Sequence, residues 1–286
     1  MCKVGGMTKL NINYYKAHRY AQEFITNRYK KEAVMSGSNE LLTIGMGSAK
    51  LGQDTATFSL PAGWTCPGAR ECMARADRET GKVVRGKHSK FTCYAASMEW
   101  RSSVRESRAR NERLLKGCDG TPEMVALIEA SLLNKGIISK AARVRVHVSG
   151  DFFSAEYFRA WCQVAVNHPD KVFYAYTKSL KIWVENRELV PPNFKLVASK
   201  GGVWDGLIQT HGLRYAEVVF SRAQAEALGL AIEEAQDELA YGSDSSFALL
   251  LHGQQEAGTE SAKALSALKA DGWTGYGKHH GVKAAA

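Results

Sequence analysis

The sequence predicts an α/β protein, a partial or complete β/α barrel of the TIM type with a cysteine-bearing segment toward its N-terminus. Two observations predict it. Beyond residue 143, short strand-like apolar runs alternate with helical segments at a spacing of roughly 20 to 30 residues, the signature of parallel βαβ units. Ahead of them, residues 60–93 hold three cysteines in a stretch broken by Pro and Gly. An open doubly wound sheet is the competing architecture. No Gly-x-Gly-x-x-Gly follows the first strand, which counts against a dinucleotide fold. The 286 residues, 45% of them hydrophobic, suffice for one large core. The expected division is an arm at 1–36, a single β/α domain at 37–274 containing a cluster-binding segment at 60–95, and a loose basic tail at 275–286.

The elements follow in order. Residues 41–46 are an apolar run between Gly37 and Gly47 and read as a first strand. Residues 60–68 are too punctuated by Pro61, Gly63, Pro67 and Gly68 to be regular. The polar stretch 75–90 reads as a loop or hairpin turning at Thr80-Gly81-Lys82. Helices are expected at 97–115 and at 122–134, the latter capped by Thr121 with Pro122 in its first turn. Strands are expected at 144–148, 172–176, 195–198, 216–220 and 247–251. Helices are expected at 154–166 and 180–189, capped by Ser154 and Ser179, then at 203–210 and 259–270.

The formal charge of +9 favours phosphate-bearing partners, nucleic acid among them. No apolar run approaches the roughly 18 residues of a membrane span. The first 31 residues lack the apolar middle of a signal peptide. The six cysteines are Cys2, Cys66, Cys72, Cys93, Cys118 and Cys162. In a long chain without an export signal they read as reduced thiols in the cytoplasm.

Five residues separate Cys66 from Cys72, and twenty separate Cys72 from Cys93. Thiolates are soft ligands that suit iron–sulfur clusters or zinc. Three of them on a [4Fe–4S] cluster leave one iron open to a small molecule. The competing readings are a structural Cys3His zinc site completed by His88, or ordinary buried thiols. Cys118 sits in a Gly-Cys-Asp-Gly turn and is open as a fourth ligand. Cys162, beside Trp161 and Val164, reads as core.

In β/α folds the working residues gather at the C-terminal ends of the strands. Those ends carry Ser149-Gly150-Asp151, Thr177-Lys178, Ser199-Lys200-Gly201, Ser221-Arg222 and His252-Gly253. Asp151, Lys178 and Lys200 are the catalytic candidates. Gly150, Asp151, Arg222 and His252 are the candidates for holding a cofactor. Asp151 would take a ribose hydroxyl or an amine, while Lys178, Lys200 and Arg222 would grip a carboxylate or phosphate. Gly150 and Gly201 would let the backbone approach a ligand. His147 reads as a satisfied interior histidine. Arg101, Arg105, Arg108, Arg110 and Arg113 form a basic helix face, read equally as solvated ion pairs or as a phosphate-binding surface.

Residues 60–69, Leu-Pro-Ala-Gly-Trp-Thr-Cys-Pro-Gly-Ala, together with Cys72, Cys93-Tyr94-Ala95, Val148-Ser149-Gly150-Asp151-Phe152-Phe153 and Tyr174-Ala175-Tyr176-Thr177-Lys178, resemble the phage gene product 88 family over roughly residues 40 to 255. The resemblance implies a phage origin and expression in the cytoplasm of a host cell. The Cys-Tyr-Ala, Gly-Asp and Thr-Lys elements also resemble a phage family described as radical-SAM-like. That likeness implies Cys66, Cys72 and Cys93 as ligands of a [4Fe–4S] cluster, with S-adenosylmethionine as the ligand of the open iron. The close-set cysteines usual for such enzymes are absent. The leading expectation is an iron–sulfur protein, radical-SAM-like in its chemistry, with a small-molecule or nucleotide ligand at the strand ends. The alternative is a non-enzymatic binder of nucleic acid or of a host protein, built around a structural zinc or cluster.

Overall fold

The computed structural model describes residues 40–48, 51–234 and 236–275. The predicted arm, Cys2 and all of the predicted tail after Gly275 lie outside the described residues. The strands are β1 (Ile44–Ser48), β2 (Gly52–Ser59), β3 (Ala74–Ala76), β4 (Val83–Arg85), β5 (Arg143–Ser149), β6 (Val172–Thr177), β7 (Phe194–Ser199), β8 (Tyr215–Val219), β9 (Ala231–Ile232) and β10 (Phe247–Leu250). The helices are α1 (Tyr94–Ser97), α2 (Ser102–Lys116), α3 (Gly120–Leu133), α4 (Ile137–Lys140), α5 (Ala155–Asn167), α6 (Leu180–Glu185), α7 (Gly206–Thr210), α8 (Arg222–Ala227), α9 (Glu238–Gly242) and α10 (Glu260–Ala270).

Eight strands form one sheet in the order β1-β2-β5-β6-β7-β8-β10-β9, and β3 and β4 form a separate hairpin. Only β1 pairs antiparallel within the large sheet. The order follows the chain outward from β1 and does not reverse before its last pair. A doubly wound sheet starts in the middle and reverses at a switch point, so that alternative is excluded. The complete barrel is not formed either. The sheet has two open edges, the antiparallel β1 and the two-residue β9, with no pairing between them among the described residues.

Strand alternation divides the sheet into two faces. Val144, Val146, Phe173, Ala175, Phe194 and Leu196 pack against Val125, Ile128 and Leu132 of α3 and Phe158, Trp161 and Val164 of α5 in one large core. Each large side chain buried there is worth roughly 1.5–3 kcal/mol of transfer free energy. The other face presents Tyr174, Val197, Ala216 and Phe247, covered in part by Ala240 of α9.

Most predicted elements are present with shifted ends. Ser154 and Thr259 cap α5 and α10, accepting the amides of Tyr157 and Ala262. Thr121 and Ser179 do not cap. The residue ahead of α3 is Asp119, and the Ser179 hydroxyl donates instead to the Phe152 carbonyl at 2.8 Å. The sequence reading missed β2, whose buried centre includes Thr55, with its hydroxyl on the Leu51 carbonyl.

Candidate functional site

The parallel strands bring their C-terminal ends to one edge of the sheet. The cysteine segment leaves the end of β2 and is tied over that edge by backbone. The Leu60 amide donates to the Ser149 carbonyl at 2.8 Å, the Glu71 amide to the Gly201 carbonyl at 2.9 Å, and the Val203 amide to the Gly68 carbonyl at 2.9 Å. Gly68 lies so close to Lys178 that a Cβ there would stand 2.0 Å from its carbonyl oxygen. Gly150 has φ +84°, and a Cβ there would meet Leu60 and Thr65 at 2.6 and 2.7 Å. These glycines admit neighbouring protein. Gly201, expected to admit a ligand, instead meets Glu71.

Little apolar surface holds this segment. Its own core is Ala62, Ala74, Ala95 and Ala96. Beside it, buried Glu99 accepts the Ala62 amide at 2.8 Å and the Arg108 guanidinium at 2.7 Å.

Cys66, Cys72 and Cys93 line one cavity of about 220 Å3, together with Gly150, Asp151, Lys178, His252 and Tyr94. Burial pushes all three thiols up, Cys72 to about 11. Specific partners oppose that rise. The Gly63 amide donates to Cys66 Sγ at 3.3 Å, the Lys178 charge favours thiolate at Cys72, and the amides of Ala96 and Ala95 favour it at Cys93. Among the described residues, no group of three or more His, Cys, Asp or Glu side chains stands as a ready-made site for a metal ion. The thiols therefore share one cavity without forming a ready-made metal site among the described residues.

Asp151 is buried at the turn after β5. Its carboxylate accepts the Phe152 amide at 2.8 Å, the Thr177 hydroxyl at 2.6 Å and the Lys178 amide at 2.8 Å. Burial nonetheless raises its pKa. Lys178 Nζ donates to the Ser199 carbonyl at 2.8 Å, the Ser199 hydroxyl at 2.9 Å and the Lys200 carbonyl at 2.6 Å. An ammonium has three protons, so Lys178 acts on the cavity through its charge and not as a donor.

Part of the cavity lining comes from β5. Arg145, His147 and Ser149 line the cavity, and Arg145 Nε, His147 Nδ1 and Ser149 Oγ are buried without a hydrogen-bond partner among the described residues. Three such atoms on one strand are unusual, because buried polar groups are nearly always paired. His147 is also strained, with φ +71°. It sits where one β2 residue between paired positions faces three of β5, since Thr57 pairs with Arg145 and Ser59 with Ser149. Its Nε2 meets the Tyr157 hydroxyl at 2.9 Å, and burial, then the Arg145 charge, depress its pKa to about 3. Arg145 also pairs with buried Asp237, which receives the hydroxyls of Tyr174 and Tyr176 at 3.4 Å each.

Two expected residues stand elsewhere. Lys200 Nζ turns to Glu217 at 2.7 Å, leaving only its carbonyl near the site. Arg222 begins α8, exposed and paired with Glu234 at 2.8 Å. His88 is exposed and lines a different pocket, so the Cys3His site is not assembled. Cys118 bonds the Leu114 carbonyl and Cys162 is buried in the main core. The sequence reading missed Arg145, Tyr176 and Asp237 as cavity residues and gave Ser149 only as part of a strand end. For the β5 residues a signal existed. Arg143-Val-Arg-Val-His-Val-Ser149 alternates polar with apolar, whereas a parallel strand covered on both faces reads as a continuous apolar run. Asp237, in an irregular loop, had none.

A sequence profile described as Gene product 88 matches residues 27–269. The chain belongs to this family. Two curated relatives are the Gene 88 proteins of Mycobacterium phage L5, 31% identical over 128 residues, and of Mycobacterium phage D29, 30% identical over 128 residues. Each match covers 43% of this chain and 47% of the relative, so the chain spans about half the length of the curated relatives it matches. No solved structure matches. Among the described residues, no helix is long and apolar enough to cross a membrane.

Proposed function

We propose that the chain is an iron–sulfur protein on a partial-barrel scaffold. Cys66, Cys72 and Cys93 would hold a [4Fe–4S] cluster, three protein ligands leaving one iron open to a small molecule. The observation that carries this reading is the meeting of three cysteines, spread over 28 residues, in one cavity with no fourth cysteine among its lining residues. The fit rests on the donor set. Three soft thiols receive help toward the thiolate form from the Gly63 amide, the Ala95 and Ala96 amides and the Lys178 charge. A tetrahedral zinc site at Zn–S of about 2.3 Å would need sulfurs about 3.8 Å apart and a fourth ligand, and His88 does not supply one. Binding would release the protons of the three thiols.

When bound, such a cluster supplies one electron to a ligand at its open iron. The chain's own residues would seat that ligand. Asp151, with three donors fixing its carboxylate, retains acceptor capacity for an amine or hydroxyl. Arg145 Nε and Ser149 Oγ offer hydrogen bonds to a carboxylate or carbonyl, and His147 Nδ1 offers one more polar contact. A ligand with both an amine and a carboxylate fits this pattern, and we propose S-adenosylmethionine as that ligand.

The test is anaerobic purification with iron, sulfide and zinc analysis of the wild type beside Cys66→Ala, Cys72→Ala and Cys93→Ala. Near-stoichiometric iron and sulfide, brown absorbance bleached by dithionite and loss of both in each variant are expected. A colourless protein with one zinc overturns the reading. Calorimetry of the loaded protein separates the two parts, because no heat with S-adenosylmethionine would leave the cluster and remove the radical chemistry.

A further inference from the structure

The net charge is concentrated in one stretch. Residues 60–116 carry thirteen Lys or Arg against six Asp or Glu, +7 of the chain's +9. The same stretch holds every exposed Trp, Tyr or Phe among the described residues: Trp64 at 39%, Tyr94 at 38% and Trp100 at 61%. Some of its cations have internal duties. Arg108 pairs with buried Glu99, Arg105 clamps the carbonyls of Arg78, Glu79 and Glu99, and Arg113 pairs with Glu40. Arg70, Arg75, Lys82, Lys87 and Arg101 are exposed and have no acidic partner among the described residues.

Cations and aromatics are interleaved. The Arg101 guanidinium lies 5.1 Å from the Trp100 ring, and Arg75 and Arg78 lie 5.0 and 4.6 Å from Trp64. Beside Trp100 runs a groove of about 790 Å3, lined by Lys82, Val84 and Arg85 on the cysteine segment, by Trp100 just after α1 and by Gln254 and Gln255 beyond β10. Its one acid, Glu256, is neutralised by Arg85 at 2.9 Å. None of Trp100, Lys82, Lys87 and Arg101 lines the cysteine cavity.

A polyanion is the partner that such a concentration of cations attracts. Accessible rings among the cations add a demand for flat faces. In a duplex the bases are already stacked on one another, whereas a single strand offers its bases to aromatic side chains. We propose that this face binds single-stranded nucleic acid, with Trp100 stacking a base in the groove and Lys82, Lys87 and Arg101 following the phosphates. The proposal stands apart from the cluster reading, since it uses none of the cavity residues.

The experiment is fluorescence anisotropy of the full chain with labelled single-stranded DNA, single-stranded RNA and a matching duplex. Each would be about 20 nucleotides long, more than the roughly 4–16 that one groove covers. Binding is expected to be at least about tenfold tighter to one of the single strands than to duplex. Between about 50 and 200 mM salt, Lys82→Ala with Arg101→Ala should flatten the log–log slope by about 1.4. Trp100→Ala should weaken binding by about tenfold, and Trp100→Phe should restore most of it. Lys181→Ala, on α6 and lining neither the groove nor the cysteine cavity, should change neither, and iron content and circular dichroism should match wild type in every variant. Equal affinity for duplex, indifference to Trp100→Ala, or no binding at the lowest salt each overturn the proposal. The DNA and RNA arms decide which strand is preferred.

Discussion

The two sides of the sheet are built by different physics. Toward α3 and α5, rings and branched side chains interlock: Phe173 lies 6.4 Å from Trp161 and 6.2 Å from Phe194, and all are buried. Over the strand ends, the cysteine segment has four alanines for a core, one buried ion pair and a series of backbone bonds. Burial of apolar area holds the first region whatever else is bound. The second is held by polar contacts that are individually worth about 1 kcal/mol net, so its order is sensitive to single groups. Structure held by polar contacts and structure held by an apolar core are thus separated along the chain.

Three substitutions test that contrast, in falling order of effect. Phe173→Ala opens the main core and should lower global stability by about 3–5 kcal/mol, read as a shift of the urea midpoint. A loss under about 1 kcal/mol would mean that this core does not carry the fold. Glu99→Ala leaves Arg108 buried and unpaired, at a local cost approaching 3–5 kcal/mol. Because the segment has little core of its own, the expected result is rapid cleavage within residues 60–101 with the sheet's circular dichroism intact. Cleavage spread evenly along the chain would show that the two regions unfold as one.

The third concerns pH. His147 is held neutral, its pKa depressed from 6.5 to about 3 by burial and then by the Arg145 charge. The unfolded chain takes up the proton as pH falls through 6.5, whereas the folded chain does so only near 3. The neutral histidine's contribution is therefore complete above 6.5 and declines as pH falls toward 3. His147→Asn, which tolerates the positive φ, should reduce the difference in stability between pH 7 and pH 4.5 by about 2 kcal/mol. An unchanged pH profile would place the acid sensitivity on other groups.

Much of the fold could be read from residue patterns because βα alternation and helix caps such as Ser154 are local. β2 escaped because its burial is paid for partly by Thr55 and Ala56, which carry no strong apolar signal. The candidate site divides the same way. The Pro- and Gly-broken run around Cys66 marks a segment that no ordinary core organises, and the strand-end rule found Asp151, Lys178 and His252 at the cavity. It placed Lys200 and Arg222 there as well, and both turn away because Glu217 and Glu234 compete for them. Lys178 reaches the cavity wall with every proton already bonded, a fact about three acceptors on the neighbouring strand end that no spacing encodes.

By itself, the sequence determined the α/β class, the thiol-bearing segment and the stretch in which the charge gathers, because each is a matter of which residues are neighbours along the chain. Tertiary structure alone decided that the sheet stays open, that three cysteines share a cavity with the strained end of β5, and that Asp237 reaches across to Arg145. Those outcomes depend on contacts between residues far apart in the chain. Whether a charged side chain faces a cavity or a neighbouring acid is settled only once the packing is complete.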